Sequence, residues 1–340
     1  MVTQEQIARK LGVSRQLVTF ALAGYPQVSE TSRQLILKTA QAMGYRPNPH
    51  ARALKRGRTG IFALWVPDQI STHYTHVARE LNQLVKQAKN ELIVSEVRTT
   101  EAEQVLSHVP VDGIFAVDAS AMVRAHLRSS ATRSVPIISI GADVCEKTDS
   151  VRVDLLAGTE DVMEHLIGLG YRRIAHATFQ RKERARPGRR QGYARAMKKA
   201  GLITEFLHYP LSEQQRPIVR ELIRDHVRAQ GCPEAIFCHS DDVALGIYRG
   251  LRDLHLRVPE DVALVGCDGI QDTEYLECPL TTLVQPVAEM CATAWQFLLQ
   301  RLEQPERKHQ RAILKPVLRI RESSSRQANP NSGLARDVSC

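Results

Sequence analysis

The chain has 340 residues, 43% of them hydrophobic and 5% aromatic, enough for two or more domains with substantial cores. Its seven cysteines (145, 232, 238, 267, 278, 291 and 340) are odd in number and form no CxxC pair, which argues against a disulfide framework or a structural zinc site. The formal charge is +9, yet residues 1–60 alone hold ten Lys/Arg against two Asp/Glu, so a small basic module suited to a polyanion precedes a nearly neutral body.

The basic module is periodic. Thr3 with Gln6 three residues on makes a capping box ahead of QEQIARKL. Ile7, Ala8 and Leu11 fall on one helical stripe, and Gly12 suits a tight exit. Ser14 caps RQLVTFALA, whose inner face is expected to be Leu17, Val18 and Leu22, with Ala21 beside them. Ser29 or Thr31 starts a third helix running to about Met43, with Ile36, Ala40 and Met43 inward. This is the pattern of a helix-turn-helix, whose second helix enters the major groove by its N-terminal residues. Thr3, Arg15, Gln16, Thr19 and Phe20 are the candidate DNA contacts. Arginine can pair with guanine and glutamine with adenine, while Arg15 can equally meet a phosphate. Phe20 suits either a thymine methyl, the DNA backbone or the head's own core.

Next comes GYRPNPHARALKRGRTG. Asn48 can cap a short helix, with Pro49 in its first turn. The helix is too short and too poor in apolar surface to stand alone. It is either a segment that orders against a partner or an ordinary basic linker. Asn48, His50, Ala51, Leu54 and Lys55 complete the set of candidate DNA contacts.

At this point the sequence resembles the LacI/GalR family of bacterial transcription regulators. The resemblance rests on VTQEQIARKLGVS, VSETSRQLILKTAQAMGYRPNPHARALKRGRTG, VDGIF, HLIGLGYRRIAH, RRQGYARAMKKAGL, PEAIFCHSDDVALGIYRGLRDLHLRVPEDVALVGCDG and PLTTLVQP, in the family order. It implies a hinge helix whose leucine, here Leu54, wedges into the minor groove of a palindromic operator, paired across a homodimer. Departures stand out in VSRQLVTFALA. Leu17 and Thr19 replace the family's usual Thr and Ser, Phe20 a common arginine and Ala23 a common asparagine, so fewer phosphate bonds are expected from this helix. The stretch from Val97 to Val111 is shorter than usual, and Leu155 stands where asparagine commonly follows the aspartate.

Beyond residue 60, apolar runs alternate with helical patterns. IFALWVP, LIVSEV, GIFAV and VPIISIG read as buried strands, with helices at VARELNQLVKQA and MVRAHL. A second cycle takes AGTEDVMEHLIGLG, GYARAMKKAG and DVALGIYRGLRDL as helices, with RIAHAT, EAIFCHS and DVALVGCD as strands. The expected architecture is an all-α helix-turn-helix head (1–47) and a hinge helix with linker (48–60), then a two-lobed α/β body like a periplasmic binding protein. The first lobe takes 61–155 plus about 284–321, the second 156–283, and 322–340 is expected to be a disordered tail. That tail lacks a leucine heptad, so a dimer is expected.

Ligands in open α/β sheets bind beyond the strand C-termini. The effector candidates are therefore Asp68, His73, Tyr74, Asp118, Phe179, Arg189, Asp241 and Asp268. Carboxylates, an arginine and aromatic walls suit a sugar or other polyhydroxyl compound. The resemblance implies effector contact for Arg189 and effector binding or lobe closure for Asp241 and Asp268. Asp241 could instead cap the helix that follows it. Arg190 competes with Arg189, and the run RKERARPGRR could bind a phosphate or an acidic protein or simply be a solvated loop. Asp154 ends a strand and could organise the lobe junction. The sequence holds no G-x-S-x-G, HExxH or P-loop and no close cluster of metal ligands, so no enzyme, cofactor or metal is expected. No apolar run reaches the roughly 20 residues of a membrane span and no secretory signal is recognisable, so cytoplasmic action without a membrane is expected. Two other readings are a DNA-binding regulator whose body answers to a protein partner, and a non-regulatory small-molecule-binding protein.

Overall fold

The computed structural model describes residues 2–45, 58–67, 71–97, 109–128, 135–179, 188–210, 212 and 214–325. Asn48, His50, Ala51, Leu54, Lys55 and Asp68 lie outside the described residues, as does most of the run RKERARPGRR. The chain divides into two compact units, Met1–Thr59 and Gly60–Cys340.

Among its described residues the first unit forms three helices. α1 (Gln4–Leu11) begins at the reciprocal capping box, in which Gln6 N donates to Thr3 Oγ1 at 3.3 Å and Thr3 N to Gln6 Oε1 at 2.9 Å. It ends at Gly12 with φ 65°, a left-handed position that disfavours any side chain with a Cβ. α2 (Arg15–Ala23) is capped by Ser14 and α3 (Glu30–Ala42) by Ser29. Their core is Ile7, Ala8, Val18, Ala21, Val28, Ile36 and Ala40. Leu17, Leu22 and Met43, expected inside, are only half-buried. The buried stripe of α2 runs between Val18 and Ala21, and the small alanine lets the short helices approach closely.

The second unit holds two six-stranded sheets, ordered β11-β5-β4-β3-β1-β2 and β12-β10-β9-β8-β6-β7. The first comprises β1 (Ile61–Val66), β2 (Glu91–Glu96), β3 (Gly113–Val117), β4 (Ile137–Gly141), β5 (Asp149–Val153) and β11 (Arg311–Leu314), all parallel. The second comprises β6 (Ile174–Phe179), β7 (Glu205–Tyr209), β8 (Ala235–Cys238), β9 (Ala263–Asp268), β10 (Thr281–Val284) and the antiparallel β12 (Val317–Arg319). Central strands such as IFALWV and GIFAV are apolar at nearly every position because helices cover both faces.

Among the described residues seven helices surround these sheets: α4 (Thr72–Gln87), α5 (Ser120–His126), α6 (Leu155–Gly168), α7 (Arg189–Lys199), α8 (Gln215–Gln230), α9 (Asp241–Asp253) and α10 (Val287–Glu303). One apolar cluster is continuous through both lobes. It includes Val77 and Leu81 of α4, Val162 and Leu166 of α6, and Met290 and Leu298 of α10.

The chain passes between lobes three times, at β5–α6, β10–α10 and β11–β12. These passes lie side by side. Asp154 N donates to Leu314 O at 2.9 Å, and Asp154 caps α6 through Ala157 N at 3.3 Å. A Cβ on Gly158 would sit 2.4 Å from Pro316 and 2.9 Å from Leu283, so this helix needs glycine where the passes meet. The last pass differs from the boundaries drawn from sequence. β12 pairs with β10, and Ser323 and Ser324 are fully buried. Ser323 Oγ donates to Leu264 O and accepts from Thr281 N at 2.8 Å. Residues 317–325 therefore belong with the second lobe, not with the first lobe or a disordered tail. Two serines that satisfy buried backbone groups carry no hydrophobic signal, which is why the pattern missed them.

Candidate functional site

Polar side chains gather where the C-terminal ends of both sheets face each other. From the first lobe come His73 and Tyr74 in the opening turn of α4, and Asp118 just after β3. From the second come Phe179 at the end of β6, Arg189 opening α7, and Asp268 ending β9. Tyr74 Oη donates to Asp118 Oδ2 at 3.3 Å. Arg189 donates to His239 Nε2 at 2.7 Å and to Cys267 Sγ at 3.4 Å, and stands 3.9 Å from Asp268 Oδ1. Gln285 Nε2, on the second pass between lobes, donates to Asp268 Oδ1 at 2.7 Å, tying the cleft to the crossover. Phe179 meets the His239 ring edge-on at 4.6 Å. Arg190 turns away and places its guanidinium 4.5 Å over the Phe206 ring, so Arg189 is the arginine of the cleft.

The electrostatics follow from burial. Burial works against the Arg189 charge, but Cys267 and the carboxylates of Asp268 and Asp118 outweigh it and raise the guanidinium further. Burial raises the Asp268 carboxyl, opposed by Arg189 and by the Gln285 hydrogen bond. Burial lowers His73, partly opposed by Asp118, and its Nε2 has no hydrogen-bond partner among the described residues.

Two aspartates make the same clamp, one in each lobe. After β3, Asp118 Oδ1 accepts from Ala142 N at 2.7 Å and Asp143 N at 2.9 Å, in the turn after β4. After β8, Asp241 Oδ2 accepts from Gly269 N at 2.7 Å and Ile270 N at 2.9 Å, in the turn after β9. The other Asp241 oxygen takes Thr282 Oγ1 at 2.6 Å, and the residue is 0% exposed. Burial, and secondarily Asp268, holds its carboxyl above the usual range, against the pull of these three donors. Asp241 is thus corrected from an effector candidate to an internal clamp. It is not the helix cap either, because Ser240 Oγ accepts from Val243 N at 3.2 Å.

Several cleft residues were absent from the sequence candidates. Tyr209 ends β7 with its ring fully buried, edge-on to Phe179 at 6.4 Å, and its hydroxyl has no partner among the described residues. Thr72 and Asp242 join the lobes. Thr72 N and Oγ1 both donate to Asp242 at 3.1 Å, while Arg216 Nε holds Asp242 from behind at 3.0 Å. Ser71 gives α4 no side-chain cap, so the helix draws its capping carboxylate from the opposite lobe. The signal for Tyr209 was a strand, EFLHY, whose edge position leaves it polar. For Asp242 it was the doubled aspartate.

In the head, Val18 and Ala21 of α2 face inward. Arg15 and Gln16 are exposed, Thr19 and Phe20 half-buried, and Thr3 exposed at its cap. Thr19 Oγ1 donates within the head, to Gln4 Oε1 and Arg15 O, both at 2.9 Å. Among the described residues no group of His, Cys, Asp and Glu is arranged for a metal ion, and no helix is long and apolar enough to cross a membrane.

A capped three-helix head and a two-lobed body with a charged cleft at its strand ends define the class of helix-turn-helix regulators with a binding-protein-like body. The family model for a periplasmic binding protein-like domain matches residues 163–324. The "Ribose operon repressor" of Haemophilus influenzae is 28% identical, over 95% of this chain and 98% of that protein. "Catabolite control protein A" of Priestia megaterium is 26% identical, over 87% and 91%. The solved structure of the lac repressor dimer bound to operator and the anti-inducer ONPF has a TM-score of 0.77 at 22% identity, covering 95% of this chain and 99% of that one. Over nearly its whole length the chain is similar to these regulators, from the head through both lobes of the body.

Proposed function

We propose that this protein is a sequence-specific DNA-binding repressor of a sugar or related carbon-source operon. Its operator affinity is controlled by a small polyhydroxyl effector in the interlobe cleft. The observation that carries this reading is that Arg189, Asp268 and Phe179 of one lobe and His73, Tyr74 and Asp118 of the other stand at strand ends, where Thr72 of the first lobe bonds Asp242 of the second. Relatives support the effector class: one similar solved regulator was determined with bound ribose, and another is a complex of CelR with cellobiose.

In this reading a homodimer presents two heads to a palindrome. Arg15 and Gln16 meet base edges, and Thr3, Thr19 and Phe20 flank them. Asn48, His50, Ala51, Leu54 and Lys55 act at the hinge, with Leu54 as the minor-groove wedge that the family resemblance implies. Asp68, a polar residue following the first strand, is a further effector candidate. The body is non-catalytic and works in the cytoplasm. Effector and DNA are coupled reciprocally through lobe closure.

The test is selection of genomic duplex fragments by the purified full chain, with and without pooled sugars, polyols and nucleosides. An enriched palindrome beside a transport or catabolic operon, with occupancy changed by one pool, is the expected result. Absence of any enriched sequence would overturn the DNA-binding reading. An enriched palindrome insensitive to every pool would overturn the effector reading alone.

A further inference from the structure

The outward side of α2 carries an aromatic pair. With 3.6 residues per turn, a helix that buries Val18 and Ala21 turns Gln16, Phe20 and Ala23 the other way. Gln16 and Ala23 are exposed. Phe20 is half-covered: one side packs against the edge of the head's core, and the other meets Tyr25, just beyond the left-handed Gly24. The two rings lie 5.1 Å apart at 54°, with Tyr25 N donating to Phe20 O at 3.0 Å. Arg33 donates to Tyr25 O at 2.7 Å and fixes the turn from behind. Tyr25 nonetheless remains 49% exposed. The pair is therefore held in place yet open to a partner.

The polar means of this end of the helix are already committed. Arg15 is the only charged residue of α2, one turn before Phe20, and the Thr19 hydroxyl donates inside the head. What Phe20, Ala23 and the Tyr25 ring offer a base edge is apolar. Donors and acceptors on a base edge would be desolvated against such a surface without compensation. The one major-groove feature that an apolar surface matches is the C5-methyl group of thymine.

We infer that Phe20 and Tyr25 together form a reader of pyrimidine 5-methyl groups. Each operator half-site then holds a thymine opposite the pair, adjacent to the base met by Gln16. This rests on the DNA-binding reading of the head.

The experiment takes the best duplex selected by the full-length protein from a random-sequence library. Each thymine is replaced in turn by deoxyuridine, which removes only the methyl group, and binding is measured by mobility shift at fixed salt. One symmetric pair of positions should lose about fourfold per half-site and about fifteenfold for both, the size expected for one buried methyl each. Cytosine placed there should bind more weakly than 5-methylcytosine by the same factor. Phe20→Ala and Tyr25→Ala should abolish this methyl dependence at that position and leave the salt dependence unchanged. Phe20→Leu, which keeps an apolar group, should retain part of it.

If no thymine is uracil-sensitive, or if Phe20→Ala and Tyr25→Ala, shown folded by circular dichroism, keep the full sensitivity, the inference fails while DNA binding stands. If the alanine variants do not fold, Phe20→Leu and the wild-type uracil scan decide. Failure to select any sequence would remove the DNA-binding reading itself.

Discussion

The two lobes solve one problem twice, and they differ in what the second oxygen of the fastening carboxylate meets. Asp118 and Asp241 occupy equivalent places, each following one strand and binding two amides in the turn after the next. A glycine makes room for each. A Cβ on Gly141 would sit 2.5 Å from Asp118 Oδ1, and one on Gly266 would sit 2.0 Å from Asp241 Oδ1. In the second lobe Thr282 closes off the remaining oxygen and the clamp is sealed. In the first lobe the remaining oxygen faces Tyr74 at the cleft. The same residue type is thus a sealed fastener on one side and, on the other, a fastener whose second oxygen meets a tyrosine at the cleft. Position after a strand does not separate these roles; the partner of the second oxygen does.

The comparison can be broken by pH. His176 on β6 is 0% exposed, stacked on Phe237 at 4.9 Å, with Nδ1 bonded to Phe237 O at 2.9 Å. Burial pushes it down to about 3, so between pH 3 and 6.5 the folded state binds fewer protons than the unfolded chain. Stability then falls as pH drops through that window, by on the order of 4–5 kcal/mol. Amide exchange should show β6 and β8 losing protection in acid before β3 and β4, and His176→Gln should remove that order. Simultaneous loss in both lobes with the wild-type chain would contradict it.

Next in size is the sealed clamp. Asp241→Ala strands two amides and a hydroxyl, each buried unpaired donor costing about 1–3 kcal/mol. Thermal unfolding should show a loss of about 3 kcal/mol or more. Asp118→Ala should cost less, because solvent reaches its turn, but should weaken the effector response. Equal stability losses would erase the distinction between sealed and open clamps.

Arg189→Ala should reduce effector affinity about a hundredfold, the scale of a lost charged hydrogen bond. It should leave operator binding without effector near normal, as read by effector titration of operator occupancy. Smallest is Asp242→Asn, which keeps the shape but weakens the bond from one lobe to the helix N-terminus of the other. A charge at a helix N-terminus contributes about 0.3–1 kcal/mol, so a two- to fivefold shift in effector midpoint is expected. No shift would mean that the lobes close without this contact.

Much of the architecture was legible in the sequence, for physical reasons that also explain the gaps. IFALWV, GIFAV and ALVGCD announce themselves because parallel strands covered on both faces are apolar throughout. EFLHY and RAIL sit at sheet edges or next to them, partly exposed, and carry no such run. The caps Thr3 and Ser14 were readable because their bonds are local in sequence. The clamp of Asp241, the reach of Thr72 to Asp242 and the turn of Arg190 onto Phe206 depend on residues 16 to 170 positions away, which no local pattern encodes. Phe20 stood between core and surface in the sequence because its neighbour Tyr25 lies beyond the helix end.

The buried serines at the end of the described chain have a practical consequence for anyone shortening this protein. A cut after Ser325 keeps the bonds that Ser323 makes to Thr281 and Leu264 and that Ser324 makes to Thr281 and His165. A cut after Arg321, only four residues earlier, strips them from the middle of the second sheet. Expression trials that place a fusion partner or cleavage site should therefore treat residue 325, not the last strand, as the boundary of the lobe.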